Sequence, residues 1–150
     1  METNLHSEAI HAPWTMALSH GTLEVRDIDK SRRFYSEFLG LETVRRGMPA
    51  LWVRCGGGWM VACICMGERA KALPISSRWC LDMTTDEDVN AAYQAAQKLK
   101  EEYGIRDILP IARTSASSSF CLQDIDGNWW EIAHRSERLY DKSFELRASG

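Results

Sequence analysis

Side chains that can bind metals or anions occupy alternate positions in two predicted strands of this 150-residue sequence. His20 and Thr22 share one face of the first strand, and Arg78 and Cys80 share one face of another, because successive strand side chains point to opposite faces. An imidazole such as that of His20 and a carboxylate such as that of Glu131 are ligands for zinc, iron, manganese or nickel. An arginine has only hydrogen-bond donors, so Arg78 is predicted to pair with a carboxylate and to repel a cation.

The elements that position these side chains occur twice. Residues 20–29 align with residues 78–87 at a constant offset of 58, so that Leu23 matches Leu81 and Tyr35 matches Tyr93. In both copies a strand runs into a helix with an apolar stripe at helical spacing. A single module would leave one sheet face bare, so the repeat predicts two modules that pack as one domain.

Both helices carry signals that predict where they begin and end. The first is expected to begin at Asp27 or Asp29, whose carboxylates accept free backbone N–H groups. The second has Thr85 and Asp88 at the spacing of a capping box, and each helix is expected to stop at a glycine. Further strands are predicted over residues 41–46, 51–55, 59–66, 117–123 and 128–134, with hairpin turns at 56–58 and 126–128.

Composition and charge exclude several classes of protein. Hydrophobic residues make up 45% of the sequence and charged residues 26%, and the net charge of -3 comes without an extended basic run. No nucleic-acid partner is therefore expected. The longest apolar run, residues 59–66, is far shorter than the roughly 20 residues that cross a bilayer, so no membrane partner and a cytoplasmic location are expected. The five cysteines lie in apolar strand segments and are expected to stay reduced.

Two stretches carry a resemblance to a known family. Residues 18–31, continuing to Phe34, Tyr35 and residues 39–41, resemble the opening strand and helix of vicinal oxygen chelate proteins, and residues 124–132 resemble their closing hairpin. This superfamily includes glyoxalase I, bleomycin-resistance and fosfomycin-resistance proteins, and extradiol dioxygenases. The resemblance implies an α+β fold of paired βαβββ modules that form an open, cup-shaped sheet. It covers one domain over residues 16–135, with modules at about 16–66 and 76–135 and peripheral tails at 1–15 and 136–150.

The same resemblance implies where a divalent metal would lie. His20 falls on the first metal-ligand position of the family and Glu131 on the last, where the carboxylate also has the catalytic role. The metal would be iron, manganese, nickel or zinc. The position that matches His20 in the second module is Arg78, and the position that matches Glu131 in the first module is expected to be Val61. Neither can serve as a ligand, so a third ligand is not identified.

The alternation of side chains along the last strand assigns the remaining candidate residues to one face of the sheet or the other. Trp129 shares a face with Glu131 and is the best candidate to stack on a bound ring. Trp130 is expected to pack under a helix, and His134 to point away from the cup. The outer strands carry three arginines that are candidates to hold an anionic substrate, although arginines on such strands are usually solvated: Arg45, Arg46 and Arg54.

Two main functions follow from these residues. In the first, the protein is a glyoxalase-like or dioxygenase-like enzyme in which His20, Glu131 and a third group hold a metal that binds a small substrate. In the second, a metal-free protein binds or sequesters an aromatic small molecule, with Arg78 paired to Glu131. A third reading is a non-catalytic dimeric subunit, and the resemblance implies a homodimer. The residues predicted to contact the small molecule are Arg78, Thr22, Cys80 and Trp129.

Overall fold

The computed structural model describes residues 13, 15–47, 49–136 and 144–145, and each half of the chain runs from a strand through a helix to further strands. The first module consists of β1 His20–Val25, α1 Ile28–Arg33, β2 Glu42–Arg46, β3 Ala50–Arg54 and β4 Met60–Cys65. The second consists of β5 Trp79–Asp82, α2 Asp86–Lys98, α3 Lys100–Tyr103, β6 Asp107–Ile108, β7 Ala112–Arg113, β8 Ser117–Gln123 and β9 Trp129–Arg135. The bounds of β2, β3, β4, β8 and β9 agree with the predicted strands to within one residue.

The strands form two open sheets, one in each module. The first sheet has the strand order β1-β4-β3-β2, and the second has the order β5-β9-β8-β6, with β7 also paired to β8. In both sheets the first strand runs parallel to the last, and the other pairs are antiparallel. The predicted α+β fold is therefore confirmed. The sequence pattern does not predict β6 and β7, because each has two residues and Pro110 between them interrupts the alternation.

Helices α1 and α2 begin where the sequence predicts. The Asp27 carboxylate accepts hydrogen bonds from two backbone N–H groups of the first turn of α1, each 3.0 Å away. Thr85 and Asp88 each accept the other's backbone N–H at 3.1 Å, which is the predicted capping box. Helix α1 continues as a π-helical turn over Phe34–Phe38, whose buried residues enter the core.

The turn between β8 and β9 is buried and holds the two modules together. Asp126 accepts hydrogen bonds of 2.7 Å from the backbone N–H of Arg26 and from the hydroxyl of Ser31, both in the first module. The side-chain amide of Asn128 donates to the carbonyl oxygen of Glu24 at 2.9 Å. These contacts fix the hairpin of the second module against β1 and the start of α1.

Asp124 lies at the centre of this turn and is completely buried. Its Oδ1 accepts the backbone N–H groups of Asp126 and Asn128 at 2.9 and 3.0 Å. Its Oδ2 accepts the hydroxyl of Tyr35 at 3.2 Å and the indole N–H of Trp130 at 2.9 Å. Burial, followed by the charge of Asp126, raises the pKa of Asp124 to about 6. One carboxylate therefore satisfies four donors that would otherwise be buried without partners.

A close contact joins the first strands of the two modules. The indole of Trp79 lies against the backbone of Gly21, and a Cβ atom at position 21 would overlap its ring. Trp79 also contacts Trp59, with ring centroids 5.0 Å apart. Position 21 therefore requires glycine because of close packing, since its backbone conformation is open to other residues.

Helix α2, with 13 residues, is the longest helix in the described part of the chain. None of the helices described is both long enough and apolar enough to cross a lipid bilayer.

Candidate functional site

One row of side chains crosses the second sheet on the face that points away from α2, which we call the cup face. Cys80 on β5 pairs with Glu131 on β9, and Glu131 pairs with Cys121 on β8. Paired residues of neighbouring strands have their side chains on the same face. We call this row, together with Arg78 and Arg135, the charged floor.

An ion pair lies at the centre of the charged floor. The Nε of Arg78 donates to Oε2 of Glu131 over 2.7 Å. The Glu131 side chain is only 12% exposed, whereas that of Arg78 is 42% exposed. The hydrogen bond and the charge of Glu131 raise the pKa of Arg78 above its usual value, which keeps the guanidinium charged. The ion pair predicted from the sequence is therefore present, and part of the guanidinium faces solvent.

A second guanidinium reaches the same carboxylate. The Nη2 of Arg135 lies 3.4 Å from Oε1 of Glu131, and its Nη1 donates to Asp82 at 3.0 Å and lies 3.6 Å from the sulfur of Cys80. Each oxygen of Glu131 thus contacts an arginine. Arg135 is not among the site residues predicted from the sequence. Its position four residues after Glu131 on one strand is the signal that identifies it, because it places both side chains on one face.

Two thiols flank Glu131 on the charged floor. Burial is the main cause that raises the pKa of Cys80 and of Cys121, and the charge of Glu131 raises both further. A hydrogen bond from Arg135 opposes this shift for Cys80. Both thiols therefore stay protonated at neutral pH, and a protonated thiol is a poor nucleophile and a poor metal ligand.

Two of the predicted site residues lie on the other sheet. His20 and Thr22 are exposed at alternate positions of β1, on the cup face of the first module. The Nδ1 of His20 lies 2.9 Å from the hydroxyl of Ser19. Within the described residues, no hydrogen bond or ion pair joins His20 or Thr22 to the charged floor. The structure therefore brings Arg78, Cys80 and Glu131 together and leaves these two on a separate strand.

The residues of β9 alternate as their parity predicts. Trp129 lies on the cup face two residues before Glu131 and is half-buried, so part of its side chain is accessible. Trp130 is 2% exposed and packs in the core, with its ring centroid 5.5 Å from that of Tyr35. His134 points away from the cup, and its Nδ1 lies 3.2 Å from the carbonyl oxygen of Met83.

The strand register corrects one predicted equivalence. Glu131 pairs with Cys80, and the offset of 58 matches Cys80 to Thr22. In the first module Thr22 pairs with Ala62, so the counterpart of Glu131 is Ala62 and the expectation of Val61 was wrong by one residue. The expectation placed Gly58 opposite Asn128, whereas the strand registers place Gly58 opposite Gly127, the fourth of five residues in each turn, and this shift of one residue moved the equivalence from Ala62 to Val61. Alanine supplies no ligand either.

Comparison with known proteins assigns the family. A family model described as Glyoxalase/Bleomycin resistance protein/Dioxygenase superfamily matches residues 17–132, which includes both modules and Glu131. This chain belongs to that superfamily. The resemblance read from the opening and closing motifs is thereby confirmed. No curated protein matches the chain.

Solved structures of this superfamily have the same fold at low sequence identity. The fosfomycin resistance protein FosX from Listeria monocytogenes, complexed with Mn(II) and sulfate, is 16% identical and has a TM-score of 0.66, covering 87% of this chain and 99% of that chain. FosX from Mesorhizobium loti is 18% identical, with a TM-score of 0.64 and the same coverages. Lactoylglutathione lyase from Agrobacterium tumefaciens is 23% identical, with a TM-score of 0.59 and coverages of 80% and 94%. These likenesses concern the fold alone.

The superfamily implies a divalent metal, and the residues of the charged floor do not fit one. Both oxygens of Glu131 contact arginines, and Arg78 places a cation where a ligand is needed. Among the residues that the structure describes, no group of three His, Cys, Asp or Glu side chains is placed to hold a metal ion. His20 and Glu131 would supply two ligands, whereas a catalytic site usually has three from the protein.

Proposed function

We propose that this member of the superfamily binds a small molecule in its cup without a metal, and that the ligand combines an aromatic ring with oxygen acceptors. The observation that carries the proposal is the 2.7 Å ion pair between Arg78 and Glu131. Arg78 stands at a position where the superfamily has a metal ligand, and it offers a hydrogen-bond donor in a fixed orientation instead. The expected ligands are neutral or singly anionic, because the charges of Arg78 and Arg135 are balanced by those of Glu131 and Asp82.

Arg78 is the residue that would bind the oxygen of the ligand. Its Nε donates to Glu131 and its Nη1 lies 3.4 Å from the carbonyl oxygen of Ile75, so the guanidinium is held from one side. Its Nη2 has no protein acceptor among the described residues, and the side chain is partly exposed. A planar guanidinium in a fixed orientation suits a carboxylate, nitro or carbonyl oxygen. Glu131 is a positioning residue in this arrangement.

Three further side chains would contact the rest of the ligand. Trp129 lies on the same face of β9 as Glu131 and offers a half-buried ring for stacking. Cys80 supplies a polarizable, protonated thiol next to the ion pair. Thr22 would add a hydroxyl from β1. The homodimer implied by the resemblance and the cytoplasmic location expected from the short apolar runs belong to this proposal as well.

Metal analysis tests the proposal directly. Untagged protein is incubated with Fe(II), Mn(II), Ni(II) or Zn(II), desalted and analysed for metal beside the Glu131→Ala variant, and no stoichiometric metal is expected in either. Stoichiometric metal that disappears in Glu131→Ala would contradict the proposal. It would favour the alternative, a metal-dependent dioxygenase or lyase with His20 and Glu131 as ligands. Arg78→His then measures whether one added imidazole creates metal affinity.

A ligand screen tests whether the cup binds a small molecule through Arg78. Chelator-treated protein is screened by thermal shift against aromatic acids, nitroaromatics and aromatic ketones, and binding is expected to be lost in Arg78→Ala. Arg78→Lys keeps the charge but removes the planar fork, so it is expected to weaken binding as well. Arg113→Ala is the matched control, because Arg113 forms an ion pair of 2.9 Å with Asp86 on the opposite face of the second sheet from the charged floor. Ligand binding that is equal in all four proteins would contradict the role of Arg78.

A further inference from the structure

A cavity lies between the two modules, on the side of the second sheet that faces α2, and we call it the junction cavity. Its volume is about 310 Å³, and residues of both modules line it. Leu81 and Ile132, which pair across β5 and β9, form its floor. Their side chains point away from those of Cys80 and Glu131, because neighbouring residues of a strand alternate between faces. The second sheet therefore separates this cavity from the charged floor.

The wall of the junction cavity is apolar and aromatic. Phe38 of the first module and Tyr103 of the second line it, and their ring centroids lie 5.5 Å apart. Three half-buried side chains of the second module continue the wall: Met83, Ala92 and Leu99. Half-buried apolar surface of this kind favours an apolar ligand, because the ligand removes that surface from water.

The mouth of the junction cavity is acidic. Three of its lining residues are exposed: Glu37, Cys55 and Asp82. Two of these carry carboxylates, and none of the described lining residues is a lysine, an arginine or a histidine. An apolar cavity with carboxylates at its entrance is complementary to a molecule that has an apolar body and a cationic end.

Glu37 is only partly neutralised by its protein partners. Its Oε2 accepts the Nε–H of Arg33 at 2.9 Å and the hydroxyl of Tyr103 at 3.3 Å. No donor among the described residues is hydrogen-bonded to its Oε1. Arg33 also pairs with Glu102 over 2.7 Å, so these three charged side chains carry one net negative charge. Glu37 can therefore accept a further cation.

We infer that the junction cavity binds a small hydrophobic amine, whose ring contacts Phe38, Tyr103 and Leu99 and whose ammonium group contacts the carboxylate of Glu37. The volume suits one ring or two fused rings, since small-molecule sites begin at about 300 Å³. The inference does not depend on the proposed function, because none of the residues proposed to contact the ligand of the cup lines this cavity.

Isothermal titration calorimetry with 2-naphthylmethylamine tests the inference, and 2-naphthylmethanol is its neutral counterpart of similar shape. Wild-type protein is expected to bind the amine roughly fivefold more tightly than the alcohol, as for one partly exposed ion pair. Glu37→Gln is expected to remove this difference, while binding of the alcohol persists. Glu102→Gln is the matched control, because it loses the same charge and the same arginine partner but does not line the cavity.

Two thiols report where the probe binds. Cys55 lies at the mouth of the junction cavity, Cys80 lies on the charged floor, and both are exposed. Alkylation of each thiol by iodoacetamide is followed by peptide mass spectrometry, with and without saturating 2-naphthylmethylamine. The amine is expected to slow the reaction of Cys55 several-fold and to leave that of Cys80 unchanged. This measurement uses the wild-type protein, so it does not depend on the folding of any variant.

A variant that fills the cavity tests the same assignment. Ala92→Phe places a ring in the junction cavity from α2 and is expected to abolish binding of both the amine and the alcohol. Ala91→Phe is the matched control, because Ala91 is the preceding residue of the same helix and is exposed. Melting temperatures confirm that each variant is folded.

Four outcomes would overturn the inference. The first two are the absence of saturable amine binding and equal affinity for the amine and the alcohol. The third is an equal loss of the preference in Glu37→Gln and Glu102→Gln, which would reduce it to an effect of net charge. The fourth is slower alkylation of Cys80 with Cys55 unchanged, which would place the probe in the cup and leave the proposed function standing.

Discussion

The two modules have the same strand order, yet their matching hairpin turns have different roles. The turn between β3 and β4 is exposed, and a Cβ atom added at Gly56, Gly57 or Gly58 would meet no heavy atom within 4 Å. The turn between β8 and β9 is buried, and its polar residues Asp124 and Asp126 are at most 1% exposed. The first turn only reverses the chain direction, whereas the second also joins the modules. The two turns therefore occupy matching places in the repeated backbone but contribute differently to stability.

The cup faces of the two modules also differ, in the chemistry of their side chains. The first has an exposed indole, that of Trp52, with the guanidinium of Arg46 stacked over it. The second has arginines that are tied to carboxylates, with Glu131 contacting Arg78 and Arg135. The first face thus offers apolar surface beside a guanidinium, and the second offers arginines whose charges are balanced by carboxylates. The repeated sheet therefore presents two faces of different chemistry.

The largest expected effect separates the two turns. Asp124→Ala removes the acceptor of Tyr35, Trp130 and two backbone N–H groups, and is expected to lower the free energy of unfolding by about 4 kcal/mol. Gly57→Ala in the first turn has only the left-handed backbone conformation to oppose it, at φ 63°, and is expected to cost about 1 kcal/mol. Urea unfolding measures both. Equal losses would mean that the buried turn is not a junction between the modules.

A smaller effect is expected where the first strands of the modules meet. Gly21→Ala places a methyl group against the ring of Trp79 and is expected to cost about 2 kcal/mol by overpacking. Gly58→Ala is the matched control in open space and is expected to be nearly neutral. Thermal unfolding of the single variants, and of Gly21→Ala combined with Trp79→Leu, measures the contact. The double variant is expected to recover part of the loss, and strict additivity would contradict the contact.

The smallest effect is expected for the ion pairs of the two cup faces. Arg78→Ala is expected to lower stability by about 1 kcal/mol, because Arg78 is partly exposed and Arg135 still contacts Glu131. If the site excluded water and Arg135 did not contact Glu131, the same variant would lose about 3 kcal/mol of stability. Arg54→Ala removes a pair whose two side chains are 56% and 57% exposed, and little change in melting temperature is expected. A larger loss for Arg54→Ala would reverse this comparison.

Local sequence patterns predicted the features that depend on neighbouring residues. The Asp27 cap, the Thr85 capping box and the strand bounds follow from spacing over a few positions. Parity alone placed Trp129 and Glu131 on one face and Trp130 in the core. The Arg78–Glu131 pair was also predictable, because the repeat put Arg78 opposite the last strand and arginine needs an acceptor. The equivalence of Val61 failed because it placed Gly58 opposite Asn128 instead of Gly127, and a shift of one residue moves a side chain to the other face of the sheet.

By itself, the sequence determined the family, the two-module plan and the polar face of each strand, because these depend on alternation and on short motifs. Apart from the Arg78–Glu131 pair, only the tertiary structure decided which charges are paired. Arg45, Arg46 and Arg54 look alike in the sequence, yet one reaches Asp29, one stacks on Trp52 and one reaches Glu42. Partners across strands are set by sheet register and by packing between segments far apart in the chain, as the 100-residue separation of Arg26 and Asp126 illustrates. No local pattern contains that information.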